Sequence, residues 1–169
     1  KCEINACPVG GEALVLQLSE ILGLEAKAME AKTARVMCRG DLTVSKTKFA
    51  YSGILDCTAA GALYGGPMAC SFGCVGMGSC ERACPFGAIT VENGIARVRE
   101  SLCTACEKCV AACPKNIITM VPRRVEYAVN CSSLDKGNIV RKNCQVGCIG
   151  CGKCTKVCPE GAIKLNGAL

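Results

Sequence analysis

Cys103-Thr-Ala-Cys106-Glu-Lys-Cys109-Val-Ala-Ala-Cys113-Pro114 is the stretch whose reading decides the fold. Two residues, two residues and then three separate its cysteines, and proline follows the last. Three sulfurs two residues apart, on a loop curling round a cube, can bind three irons of one [4Fe–4S] cluster, while a fourth on the next helical turn faces away towards a neighbouring cube. The proline ends that turn and fixes where the chain leaves. A nearly identical run, Cys148-Ile-Gly-Cys151-Gly-Lys-Cys154-Thr-Lys-Val-Cys158-Pro159, lies near the other end. Two such runs in 169 residues make electron transfer through [4Fe–4S] clusters the leading reading.

Composition narrows the alternatives. Eighteen cysteines would suit a disulfide scaffold in a small secreted chain, but repeated two-residue spacings followed by Cys-Pro do not fit one. A zinc-stapled interaction module is the other competitor. Zinc ribbons use separated cysteine pairs, in which a third cysteine at the same spacing is redundant. The absence of histidine excludes Cys₂His₂ zinc, Rieske centres, His-ligated haem and His-based acid–base catalysis. The formal charge of +6 counts every cysteine as neutral. A cube on four thiolates carries about −2, so three of them offset that excess. With no Trp, three Tyr, three Phe and no Lys/Arg block, the chain offers no platform for nucleic acid. Reduced thiols in this number point to a cytosolic or cytosol-facing location in an anaerobe. No run of about eighteen apolar residues is present to span a bilayer.

The pattern along the chain predicts a loop-rich α+β fold with short hairpins and short helices around clusters. Glu12 to Leu22 reads as an amphipathic helix with Leu14, Leu18, Ile21 and Leu22 on one face and Gly23 as its stop. Thr33 to Cys38 reads as a strand. Ile89-Thr-Val and Ile95-Ala-Arg-Val flank Asn93-Gly94, a hairpin signal, and a further strand near Ile117 to Val121 should pair with that hairpin region. An internal repeat adds detail. Twelve residues separate Cys57 from Cys70 and Cys131 from Cys144, and each pair leads into a similar block. Cys151 of the second block has no counterpart in the first, where Met77 stands. The first block is therefore expected to recruit Cys70 as its third ligand. Gly76, Gly78, Gly150 and Gly152 lack the context of a dinucleotide loop and should instead let backbone N–H groups approach cluster sulfurs.

The motifs CPVGG, YSGILDC, GGPMACSFGCVGMGSCERACPFGAI and CSSLDKG…CQVGCIGCGKC together resemble the B subunit of the Rnf complex, in its long, many-cluster form from anaerobic bacteria. The resemblance covers essentially the whole chain. It implies ferredoxin-like 2[4Fe–4S] units and electron transfer from soluble ferredoxin into a membrane complex. That complex reduces NAD⁺ through flavin subunits while pumping Na⁺ or H⁺. It also implies a place on the cytoplasmic face of the cell membrane, reached through an N-terminal helix or partner subunits. Cys7 would be the last ligand of a preceding four-Cys domain, and the chain reads as a piece of something longer. A polyferredoxin subunit of a soluble oxidoreductase is the alternative. The expected organisation is 1–32 as the end of an N-terminal iron–sulfur domain plus helix, 33–69 as a loop-rich segment, 70–122 as a two-cluster unit and 123–169 as a truncated second unit.

The cysteines then predict four sites, the first two by crossed ligation. Cys103, Cys106 and Cys109 with Cys84 hold one cube, and Cys70, Cys74 and Cys80 with Cys113 hold its neighbour. Cys148, Cys151 and Cys154 hold a third with an outside fourth ligand, leaving Cys158 for a further cluster. With Cys2 and Cys7 belonging to the N-terminal domain, subtraction leaves Cys38, Cys57, Cys131 and Cys144, the number one more cube needs; buried structural thiols are the alternative.

Overall fold

Asn93 and Gly94 both adopt left-handed backbone (φ 49° and 75°), the conformation a two-residue type I′ turn demands. They join β2 (Ile89–Glu92) to β3 (Ile95–Val98) in the expected antiparallel hairpin, with Ile89 opposite Val98 and Glu92 opposite Ile95. This is seen in the computed structural model, which describes residues 5, 7, 9–25 and 30–165. The predicted helix is α1 (Gly11–Leu22), closed by Gly23 at φ 62° with its N–H on the Ser19 carbonyl, as a left-handed helix cap requires. Val15 is its buried residue, while Ile21 and Leu22 of the expected apolar face are exposed.

The predicted strand after it is β1 (Lys32–Val36), and the one near Ile117 is β4 (Ile118–Pro122). β4 pairs with β1, not with the hairpin, in antiparallel register with Val36 opposite Ile118 and Lys32 opposite Pro122. This corrects the expectation from sequence. The physical reason lies in β1, whose Thr33, Ala34 and Val36 are buried and need a partner strand carrying a matching inward residue, which Ile118 supplies. The two separate strand pairs feed one core: Ala34 and Val36 meet Ala88, Ile89, Ile95, Ala96, Ile117 and Ile118. Each buried Ile or Val there contributes roughly 1.5–3 kcal/mol. Four cysteines, Cys74, Cys80, Cys103 and Cys109, are members of the same core.

Short helices follow: α2 (Cys57–Ala62), α3 (Ser79–Arg82), α4 (Lys108–Ala111) and α6 (Lys153–Val157) each carry one cysteine, and α5 (Gly137–Asn143) ends at Cys144. Single bridges pair Ser45 with Cys144 and Thr47 with Met68, so one stretch links the segments before and after the hairpin unit. Among the described residues no helix is long and apolar enough to cross a membrane.

Candidate metal centres

Three loops share one backbone pattern. In each, left-handed residues stand two and four places after the first cysteine: Gly76 and Gly78 after Cys74, Ala105 and Glu107 after Cys103, Gly150 and Gly152 after Cys148. A cysteine follows two places later, at Cys80, Cys109 and Cys154. Such turns bend the chain around a central volume and aim successive N–H groups inward. Ala105 and Glu107 adopt this conformation without being glycine (φ 59° and 62°), a strained choice that persists only where the surroundings fix it. In the Cys103 and Cys148 loops the middle place holds Cys106 or Cys151, and in the Cys74 loop it holds Met77.

Cys103, Cys106 and Cys109 line one cavity together with Cys84, the grouping read from the sequence. The Ala34 N–H of β1 donates to Cys103 Sγ at 3.4 Å, and the Ala88 N–H donates to Cys84 Sγ at 3.4 Å. Burial acts to raise the Cys103 thiol pKa, but the N–H groups of Ala34 and Ala105, the Thr33 hydroxyl and the Arg123 charge together carry it below the ordinary value. Arg123 is held there by donating to the Cys103 carbonyl at 2.6 Å. Cys109 moves the other way, raised by burial and by facing Cys103.

A second cavity is lined by Cys74, Cys80, Cys113 and Cys57. Cys70, expected here, is not on its wall. Cys57 takes the place because α2 is pinned to the start of α3. Asp56 caps α2 through the N–H groups of Thr58 and Ala59 at 2.9 and 3.0 Å, and it accepts the Ser79 hydroxyl at 2.8 Å. Ser79 Oγ in turn accepts the Cys57 N–H at 2.8 Å. Arg82 donates to the carbonyls of Met77 (3.0 Å) and Leu55. Met77, in the middle-cysteine place of its loop, packs beside Cys57, Ala60 and Val75. Burial, then the nearness of Cys74, Cys57 and Cys113, pushes the Cys80 thiol up to about 12. Asp56 is legible in the sequence as a helix cap, but its contact with Ser79, which places Cys57 here, forms only in the folded chain.

A third cavity gathers Cys38, Cys70, Cys131 and Cys144. It holds three of the four cysteines grouped by subtraction, with Cys70 in place of Cys57. Cys74 sits between the second and third cavities. Its N–H points at the Cys38 sulfur, while its own sulfur receives the N–H groups of Ala96 and Gly76. Cys148, Cys151, Cys154 and Cys158 line none of these three cavities, and Cys151 and Cys154 are exposed. Cys7 is exposed, and Cys2 lies outside the described residues.

The donor set fits [4Fe–4S] clusters. None of the described cysteines is in a disulfide. Among the described residues no three His, Cys, Asp or Glu side chains converge as a single ion requires; the thiols surround volumes. Among the described residues, two buried side-chain polar atoms lack hydrogen-bond partners, Thr104 Oγ1 and Asn130 Oδ1, and both residues line thiol cavities. A Thr hydroxyl, or an Asn amide turned end for end, would donate to a cluster sulfur there.

Two family models described as "4Fe-4S dicluster domain" match the chain, over residues 70–118 and 102–162. The chain is 44% identical, over 86% of its length and 44% of the relative's, to the B subunit of the Na(+)-translocating ferredoxin:NAD(+) oxidoreductase complex of Acetobacterium woodii. It is 45% identical, over 98% of its length and 58% of the relative's, to the B subunit of the proton-translocating ferredoxin:NAD(+) oxidoreductase complex of Clostridium ljungdahlii. With the B subunit of the ion-translocating oxidoreductase complex of Methanosarcina acetivorans it shares 40% identity over 96% of its length and 62% of the relative's. It thus spans about half the length of the curated relatives it matches. The chain is an iron–sulfur protein of the dicluster type, homologous over most of its length to the B subunits of the ion-translocating ferredoxin:NAD(+) oxidoreductases.

Proposed function

We propose that this chain relays electrons from reduced soluble ferredoxin towards a membrane complex that reduces NAD⁺ and pumps Na⁺ or H⁺. The observation that carries the reading is the crossing of two four-thiol cavities. Cys80 and Cys84, one helical turn apart, line different cavities, and so do Cys109 and Cys113. Two redox centres held this way are close neighbours, the arrangement a relay needs and a structural staple does not. Cys84, Cys103, Cys106 and Cys109 would hold one cluster, and Cys57, Cys74, Cys80 and Cys113 the other. A bound [4Fe–4S] cube supplies one-electron transfer, and no bond in a substrate is made or broken on this chain.

The chain's residues set where and how readily the electron rests. Ala34, Ala88, Ala96 and Gly76 aim N–H groups at ligand sulfurs, which favours the reduced, more negative state. Burial of Cys74, Cys80, Cys103 and Cys109 keeps water from the sulfurs. Cys148, Cys151 and Cys154 would hold a further cube completed by a ligand from outside, with Cys158 and Cys7 serving clusters shared with neighbouring sequence. The ion-translocating names of the relatives support a place at the cytoplasmic face of the membrane beside flavin-bearing and membrane subunits. Two electrons and one proton convert NAD⁺ to NADH on such partners. Anaerobically prepared protein should be brown, contain equal iron and sulfide, and bleach when reduced ferredoxin is added. A colourless protein containing zinc would overturn the reading.

A further inference from the structure

We infer that Cys38, Cys70, Cys131 and Cys144 hold an additional [4Fe–4S] cluster, which continues the central pair into a row of three along strand β1. The inference rests on the electron-relay reading and deepens it. Four separate stretches bring these thiols to one cavity, and each stretch is tied independently. The Met37 N–H donates to the Ile117 carbonyl at 2.7 Å, and the Ser132 hydroxyl donates to the Met37 carbonyl at 2.9 Å, which fixes the neighbours of Cys38 and Cys131. The Ala69 N–H donates to the Lys46 carbonyl at 2.8 Å, and the Lys46 N–H donates to the Asn143 carbonyl at 2.9 Å. That ladder holds Cys70 and Cys144 on either side of one stretch. The Ser45 hydroxyl donates to Cys144 Sγ at 3.4 Å.

The cavity is also shaped closely. At Gly40 a Cβ would meet Ser45 Oγ and lie 3.0 Å from Cys144 Sγ, so a larger residue there must displace the side chains of Ser45 and Cys144. Asn130 lines the same volume and carries a buried, unpartnered amide oxygen. Inert thiols packed as small hydrophobes leave that unsatisfied polar atom unexplained.

The repeat explains why these four are available. The Cys103 and Cys148 loops carry their own middle ligand, Cys106 or Cys151. The Cys74 loop lacks one and takes Cys57 from α2. Cys70 is therefore released, and so is Cys131, the repeat counterpart of Cys57, because Cys151 makes it unnecessary to its own block. The twelve thiols from Cys38 to Cys144 then divide into three sets of four with none left over. Along β1, Ala34 borders the first cavity, Val36 the second, and Cys38, just past its end, the third. At about 3.3 Å per residue, roughly 13 Å of extended chain passes all three. The third cavity contains Val146 and Gly147, which lead directly into the Cys148 block. Electrons would leave the central pair in that direction.

The full chain, prepared anaerobically with its clusters, provides the test. In the Cys38→Ala/Cys131→Ala variant iron should fall by about four atoms per chain, the content of one cube, while the spin-coupled EPR signal of the central pair persists. Cys70→Ala should likewise spare the coupled signal, whereas Cys57→Ala should abolish it. In the loaded native protein Cys38, Cys70, Cys131 and Cys144 should resist iodoacetamide until a chelator strips iron. Iron unchanged in the double variant, loss of the coupled signal in Cys70→Ala, or rapid alkylation of these four in the loaded protein would each overturn the inference. The alkylation result decides the matter even if a variant fails to fold. All three outcomes leave the relay reading standing, whereas a native protein without iron and sulfide would remove both.

Discussion

Gly76→Ala perturbs the turn that carries Cys74 around the second cavity, and its effect can be worked out from two separate causes. Gly76 sits at φ +78°, where an alanine pays about 1–2 kcal/mol for the left-handed backbone. Its new Cβ would also press on the hairpin turn, touching the Gly94 carbonyl oxygen and lying 2.8 Å from Gly94 C and 2.9 Å from Gly94 Cα. Those are backbone atoms, and they cannot retreat easily. The Leu42 N–H holds the Asn93 carbonyl at 2.9 Å, and the Leu42 side chain fills the space behind Gly94. Overpacking of this kind adds about 1–3 kcal/mol. The sum, about 2–5 kcal/mol, corresponds to a fall in apparent Tm of roughly 4–20 °C for a chain of this size. Gly87→Ala is the control: φ is +59° there, but no atom lies within 4 Å of the added carbon. That variant should lose only the backbone part, roughly 2–8 °C. Both are measured on anaerobic, cluster-loaded protein at one scan rate, by circular dichroism and by bleaching of the visible absorption. Equal losses in the two variants would refute the claim that the Cys74 loop and the hairpin turn are in obligatory contact.

Ser79→Ala deletes the acceptor of the buried Cys57 N–H, at a cost of about 1–3 kcal/mol, and should speed chelator-driven iron loss from the central pair; unchanged kinetics would show that α2 does not depend on that bond. Gly40→Ala should lower iron content by displacing Cys144, with the coupled EPR signal unaffected, and retention of full iron would count against the close packing seen there. The Asp56 carboxyl is held below its ordinary value of 3.8 by the Ala59 N–H first, then the Ser79 hydroxyl and the Thr58 N–H, with Arg82 adding to them. Its contribution to stability is therefore complete above that value and is lost as pH falls through the lowered pKa. Asp56→Asn should flatten the acid limb of the stability profile, and an unaltered limb would contradict the assignment. Stripping the clusters anaerobically should abolish cooperative unfolding, since four core positions are thiols; a sharp thermal transition in the stripped protein would be inconsistent with this.

Much of this architecture was legible because its causes are local. A two-residue cysteine spacing, an Asn-Gly pair between β-branched runs and a glycine after an apolar helix each act over a few residues, and each is found where expected. The gathering of Cys103, Cys106 and Cys109 round one cavity was readable for the same reason, and Cys84, nineteen residues earlier, lines that cavity as the crossed pattern of dicluster ferredoxins led one to expect. What escaped depends on contacts between distant segments. Cys57 and Cys70 both precede the Cys74 loop at plausible distance, and spacing cannot choose between them. The choice is made by Asp56 and Ser79, residues twenty-three positions apart that bind one another only in the folded chain. The partner of β4 was misread likewise, because pairing with β1 joins residues as far apart as Lys32 and Pro122, and the burial of Thr33 and Ala34 that favours it is a property of the finished core.

That core explains why ligand choice and folding are one problem in this chain. Ala34, Ala88 and Ala96 are small, and the remaining apolar members are a few Ile and Val, too little to hold five short helices and two strand pairs by hydrophobic burial alone. The thiols occupy the central positions that large side chains would fill in an ordinary domain. Metal binding then supplies folding free energy directly. Counting sets of four cannot choose between Cys57 and Cys70, because exchanging the two also leaves three sets of four. The fold makes the choice: the Asp56–Ser79 contact sets Cys57 on the second cavity, and the bond from the Ala69 N–H to the Lys46 carbonyl sets Cys70 on the third.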